Sequence, residues 1–95
     1  MATKAQWPDV AFHPGETLAE ELEARGMTQR ELAEKMGRPV QVVNEIVRGR
    51  KAITAQTAWD LEGALGVSAE FWMNMQTSYD LNVERLRRTA AAATA

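Results

Sequence analysis

The 95-residue sequence contains no cysteine, which removes disulfide frameworks, thiol nucleophiles and thiolate metal sites together. Its single histidine cannot assemble a multi-histidine metal site. No apolar run approaches the ~20 residues needed to cross a bilayer. The stretch Met1-Ala-Thr-Lys-Ala-Gln-Trp7 has no apolar signal core, so a cytoplasmic protein without a membrane partner is expected. Neither sign of charge dominates: 11 Lys and Arg against 13 Asp and Glu leave a net charge of −2. That excludes a uniformly basic nucleic-acid coat and a polybasic membrane anchor, but not a local basic patch. Proline and glycine are scarce, at 3 and 6, and 45% of residues are hydrophobic. These proportions fit one small globular domain.

Residues 1–13 show no helical period and read as an arm ending at His13-Pro14-Gly15. Short helical blocks follow over 14–88, and 89–95 form an Ala-rich tail whose end is expected to fray. Leu18, Ala19 and Leu22 recur at helical spacing, and Gly26 stops that block. Thr28, with Glu31 three residues on, predicts a capping box for a second helix that buries Leu32, Ala33 and Met36 and ends at Gly37. Pro39 suits the first turn of a third helix running to Arg48 and stopping at Gly49. Thr54 and Ser68 are N-cap candidates for a fourth helix (Ala58, Leu61, Leu65, then Gly66) and a long fifth one. No stretch alternates with period two. The expected fold is all-α: five helices, the last one long.

The second and third blocks carry the most information. A helix over Thr28–Met36, a tight turn at Gly37 and a helix with Val43, Ile46 and Val47 inward match a helix-turn-helix. Ala33 is small where the two helices must approach. On the other side, Gln41, Asn44, Glu45 and Arg48 share a face at i, i+3, i+4 and i+7. A polar face ending in Arg48, Arg50 and Lys51 suits an element lying in a major groove with its end near phosphates. Arg38 to Lys51 holds four basic residues and one acid, whereas Glu16 to Glu23 holds four acids and no base. A solvated polar face on an ordinary helical hairpin is the alternative on pattern alone.

Three blocks resemble HigA-type antitoxins, a branch of the phage-repressor-like (Xre/Cro) helix-turn-helix superfamily. They are His13-Pro-Gly-Glu-Thr-Leu-Ala-Glu-Glu-Leu22, Val43-Asn-Glu-Ile-Val-Arg-Gly-Arg-Lys-Ala-Ile-Thr54 and Glu70-Phe-Trp-Met-Asn-Met-Gln-Thr-Ser-Tyr-Asp-Leu81. The resemblance covers about residues 13–81. It implies a five-helix repressor-like domain, homodimerisation, binding to an inverted-repeat operator in its own promoter, and neutralisation of a HigB-like toxin, a RelE-like ribonuclease. It also implies roles for individual residues. Gln29 matches a helix-start residue that touches a phosphate and braces the recognition helix, with Thr28 beside it on the backbone. Gln41 and Asn44 match groove-facing positions, and Arg48 and Lys51 match the backbone-contacting loop. Val40 departs from a polar base-reading position and would offer an apolar contact to a thymine methyl. Glu45 departs from Gln or Arg, and is expected to accept from cytosine N4 or to pair with Arg48 or Arg38.

The remaining residues divide between partners and scaffold. Phe71, Trp72, Met75, Tyr79, Val83 and Leu86 form the expected dimer seam on the fifth helix, with the Trp59 face as the alternative seam. Trp59 otherwise reads as core. The arm residues Trp7, Val10 and Phe12, with Glu16, Glu20 and Glu23, form the expected toxin-binding surface, since an acidic surface suits a basic ribonuclease. Folding of Trp7 and Phe12 back onto the domain is the competing expectation. His13 reads as a helix cap, and Glu20, Glu21 and Glu23 as solvated charge. No phosphate loop, nucleophile triad, metal site or cofactor site can be assembled, so no enzyme and no cofactor are expected. The alternatives are a stand-alone repressor without a toxin and an interaction adaptor that has lost DNA binding.

Overall fold

Hydroxyl caps and left-handed glycines set most of the helix boundaries. In the computed structural model, which describes residues 10–94, α1 spans Pro14–Arg25, α2 Gln29–Met36, α3 Val40–Val47, α4 Ala55–Leu65 and α5 Ala69–Thr94. No strand occurs among the described residues. The Thr28 hydroxyl accepts the Glu31 N–H at 3.0 Å, and the Glu31 carboxylate accepts the Thr28 N–H at 2.9 Å. This reciprocal pair satisfies two donors that a helix start leaves orphaned, worth about 0.5–2 kcal/mol. Thr54 caps α4 from one side only, its hydroxyl accepting the Thr57 N–H at 3.2 Å. The start of α5 is held twice, by Ser68 Oγ accepting from Phe71 and by Glu62 of α4 accepting from Ala69.

Two boundaries differ from the sequence expectation, both on α3. Pro39 is the N-cap of α3 rather than part of its first turn, with ψ at 144°. Arg48 is the C-cap and not the last helical residue, because its ψ has moved to 1°. Helix α5 takes in the Ala-rich tail as far as Thr94, carried by alanines of high intrinsic propensity.

The core is drawn from every helix. Leu18 of α1, Leu32 of α2, Ile46 of α3, Leu61 of α4 and Trp72 of α5 are all fully buried, together with Ile53 from the loop before α4. Each such side chain contributes about 1.5–3 kcal/mol of transfer free energy. Trp59 does not join them. The buried side of α4 is Thr57, Ala58, Leu61 and Leu65, which turns Trp59 outward to 65% exposure.

The contact between α1 and α3 is closest at Gly15, where a Cβ would lie 1.9 Å from the Ile46 carbonyl oxygen. Only glycine allows the start of α1 to lie against the end of α3. Helix α5 packs on α4 and α1 and then runs beyond them. Its 26 residues extend about 39 Å, which accounts for the 48 Å long axis of the molecule and a radius of gyration of 15.3 Å, against about 12 Å for a rounded chain of this length.

Candidate nucleic-acid interface

The α2–turn–α3 unit is assembled by a few local contacts. Gly37 takes a φ of 67°, which lets the chain reverse after Met36 while the Arg38 N–H returns to the Ala33 carbonyl at 3.0 Å. Val43 and Ile46 then point inward and fix the rotation of α3 about its axis. That rotation leaves Val40, Gln41 and Arg48 exposed. Asn44 is partly buried, and its Nδ2 donates to Gln29 Oε1 at 3.1 Å. The first residue of α2 is therefore tied directly to the outward side of α3, and the tie orients both amides.

Beyond α3 the chain folds back under its own helix end. The Glu45 carbonyl accepts the N–H groups of Arg50 and Lys51 at 2.8 and 3.2 Å, and the Ile46 carbonyl accepts that of Gly49. Buried Gln76 of α5 accepts the Ile53 N–H at 2.8 Å. Arg48, Arg50 and Lys51 are exposed on this braced loop and make no ion pair among the described residues. The geometry groups Gln29, Val40, Gln41, Asn44, Arg48, Arg50 and Lys51, with Thr28 at the start of α2.

Two expectations about charge need correction. Glu45 pairs with neither Arg38 nor Arg48. Arg38 instead bonds Asp60 of α4 at 3.1 Å, with both groups about a quarter exposed. The turn between α2 and α3 is thereby pinned to α4, and Arg38 brings a pre-paired guanidinium to the surface. The Thr28 hydroxyl is likewise engaged in its cap. Glu31, beside it, is held below the usual carboxylate range by the Thr28 backbone N–H and then by the Thr28 side chain.

His13 caps α1, as its position before Pro14-Gly15 suggests: its Nδ1 accepts the Gly15 N–H at 2.9 Å. The ring meets Tyr79 of α5 edge-on at 4.8 Å. Burial lowers the His13 pKa from its ordinary value, against a Lys51 backbone contact and the charges of Asp80 and Glu16, which raise it.

A second feature lies between α1 and α5, an open groove of about 650 Å³. Phe12, Phe71, Met75 and Tyr79 supply apolar lining, Glu16 and Glu20 supply carboxylates, and no lysine or arginine among the described residues lines it. Residues read separately as dimer seam and toxin surface thus meet in one place. Val83 is exposed and Leu86 half-buried farther along α5. Trp72 must be removed from the expected seam. It is fully buried and meets Phe71 edge-to-face at 5.5 Å, because it lies on the core side of α5 with Ala69 and Gln76. Val10 and Phe12 are exposed although the Val10 carbonyl accepts from Asn82 of α5 at 3.3 Å, so the end of the arm is fastened by backbone with its side chains outward. Glu23 is exposed on α1, and Trp7 lies outside the described residues. Sequence reasoning missed Asp60, Gln76 and Asn82. Their partners are 22, 23 and 72 residues away, and no local signal marks them.

Comparison with known proteins bears directly on this arrangement. A helix-turn-helix family profile matches residues 18–72. Antitoxin HigA-1 of Vibrio cholerae is 43% identical over 68 residues, which are 70% of this chain and 64% of that protein. The chain spans about two thirds of the length of the curated relatives it matches. Among solved structures, an addiction module antidote protein of the HigA family from Coxiella burnetii superposes with a TM-score of 0.77 at 37% identity, covering 86% of this chain and 89% of that one. Pseudomonas aeruginosa antitoxin HigA, solved with the higBA promoter, gives a TM-score of 0.73 at 36% identity, covering 88% and 86%.

Proposed function

The chain belongs to the HigA-type antitoxins of the Xre/Cro-like helix-turn-helix superfamily, and from that premise we propose that it is a homodimeric repressor of its own operon that also neutralises a HigB-like, RelE-like ribonuclease toxin. The family works by binding and not by catalysis. The observation that carries the DNA half of this reading is the Asn44–Gln29 hydrogen bond. It fixes α3 against the start of α2, so that an ordered amide pair stands between exposed Gln41 and three cations without ion-pair partners among the described residues. Glutamine can read adenine through its N6 and N7, Val40 can meet a thymine methyl, and Arg50 and Lys51 lie where side chains reach phosphates. Arg38 and Glu45 flank this face and contribute to its charge.

For the protein partners, the α5 side of the groove, with Phe71, Met75 and Tyr79 and continued along the helix by Val83 and Leu86, is assigned to the second copy. A single module buries too little surface for tight specific binding, which favours a dimer. The arm with Trp7, Val10 and Phe12, and the α1 carboxylates Glu16, Glu20 and Glu23, are assigned to the toxin, whose basic surface they would steer. The test of the DNA assignment is a promoter duplex titrated with wild type and Gln41→Ala. The variant loses about 1–3 kcal/mol and its preference at one base pair. Unchanged affinity together with unchanged base preference would remove Gln41 from the interface.

A further inference from the structure

The basic loop after α3 is tied at both of its ends. At its entrance the Glu45 carbonyl accepts the N–H groups of Arg50 and Lys51. At its exit the Ile53 side chain is buried, and the Ile53 N–H donates to Gln76 Oε1 at 2.8 Å. Arg50 and Lys51 lie between these ties, exposed and without ion-pair partners among the described residues. Gln76 is only 4% exposed, and both ends of its amide are engaged. Its Nε2 donates to Asp80 Oδ1, four residues on along α5, at 2.9 Å. A buried side chain of the fifth helix thus bonds the backbone two residues beyond Lys51.

We infer that Gln76 is a positioning residue for the phosphate-facing loop, and that Asp80 sets the direction in which its amide works. The inference rests on the DNA-binding reading above. A buried amide is costly unless both of its ends are bonded. A carboxylate accepts and does not donate, so Asp80 takes the NH2 end and leaves the oxygen toward Ile53. Turned over, the amide would set two donors against each other, its own NH2 and the Ile53 N–H. The relay from Asp80 through Gln76 to Ile53 therefore runs in one sense. It fastens the loop to α5, whereas the Glu45 bonds fasten it to α3. A loop held to α3 alone pivots about the end of that helix, and the second tie removes that freedom. Arg50 and Lys51 are then set in place before DNA arrives, and less ordering is left for binding to impose. Gln76 acts through the phosphate contacts, so its loss weakens every sequence alike and leaves the base preference of Gln41 unchanged.

The measurement is fluorescence anisotropy of a duplex carrying the promoter upstream of its own gene, and of a scrambled duplex, over a range of salt concentrations. Gln76→Leu keeps the bulk of the side chain and removes both bonds of the relay. It should weaken both duplexes about three- to tenfold, the worth of about one hydrogen bond. Its salt slope should fall by about one to two units as Arg50 and Lys51 lose their phosphates. Asp80→Ala leaves the core untouched, frees the amide to turn over, and should show a smaller loss of the same kind. It carries the test if Gln76→Leu loses its helical content by circular dichroism. Gln76→Glu combined with Asp80→Asn rebuilds the relay by other chemistry. The new carboxylate accepts from Ile53 and from the new amide, so affinity and salt slope should return on both duplexes. In the free protein, hydrogen exchange at the Ile53 and Lys51 amides should quicken in Gln76→Leu and slow again in the double variant. Wild-type affinity and salt slope in either single variant would overturn the proposal. So would a loss confined to the promoter duplex, a double variant as weak as Gln76→Leu, or a Lys51 amide that stays protected while that of Ile53 is freed. A wild type that bound neither duplex would end the DNA reading, while exchange at Lys51 would still decide whether Gln76 holds the loop.

Discussion

Gly15 shows how one residue can carry a helix–helix contact. The Ile46 carbonyl occupies the space of its missing side chain, so Gly15→Ala must push α1 away from α3 or strain the end of α3. Overpacking of this kind costs about 1–3 kcal/mol, and urea unfolding should show a lower midpoint with an unchanged slope. An unchanged midpoint would mean that α1 shifts freely at this point. The role of Gly15 is not legible from the sequence, since Ile46 lies far along the chain. Its neighbour His13 is legible as a cap because capping is local, but its packing against Gly49 and Tyr79 is not. The same division separates Trp59 from Trp72. Both lie on apolar-rich helices, and only the packing of α4 on α2 and α5 decides that Trp59 turns outward while Trp72 is enclosed.

At the level of whole elements, the boundaries that were read correctly are those written in adjacent residues: the capping box of α2, and the glycines that end α1, α2 and α4. The end of α3 was misplaced by one residue because a C-cap on arginine leaves no sequence signature. Helix α5 is the element with most apolar surface left over. Met75 lines the groove and is only half-buried, so Met75→Glu should leave the fold standing while placing a carboxylate in the proposed seam. Sedimentation equilibrium should then report a monomer where wild type reports a dimer, with helical content retained. A variant that still dimerises would direct attention to the Trp59 face. Beyond the groove, Glu84 accepts from Arg87 and Arg88, and these two guanidinium groups hold its carboxyl at about 2. The interaction is present at any pH above the ordinary carboxylate range and is lost only as acid approaches that value. It supports the exposed end of the helix without bearing on DNA binding near neutrality.

For the molecule as a whole, the basic loop and the acidic groove are separate surfaces, with His13 lining the groove and lying against Gly49 of the loop. Removing residues 1–12 deletes Trp7, Val10 and Phe12 but spares His13, the α1 cap and every residue of the α2–α3 face. That truncation should abolish toxin capture in a pull-down while operator binding stays near wild type. Full-strength neutralisation by the truncated chain would move the toxin interface to α5. None of this division was visible in a net charge of −2, because opposite local charges cancel in the sum.

The contact at Gly15 has a further consequence, for the DNA. In a dimer joined along the groove, the path from one α3 to the other runs through α1 and the paired α5 helices. Its first link has no slack, since the Gly15 backbone touches the Ile46 carbonyl. The two reading helices are then set apart like the points of a fixed caliper. Duplex DNA turns once in about 10.5 base pairs, so each base pair inserted between half-sites swings one of them by roughly 34° around the axis. For the proposed dimer, operator half-site spacing is thus tied to a glycine on α1, outside the α3 face assigned to DNA.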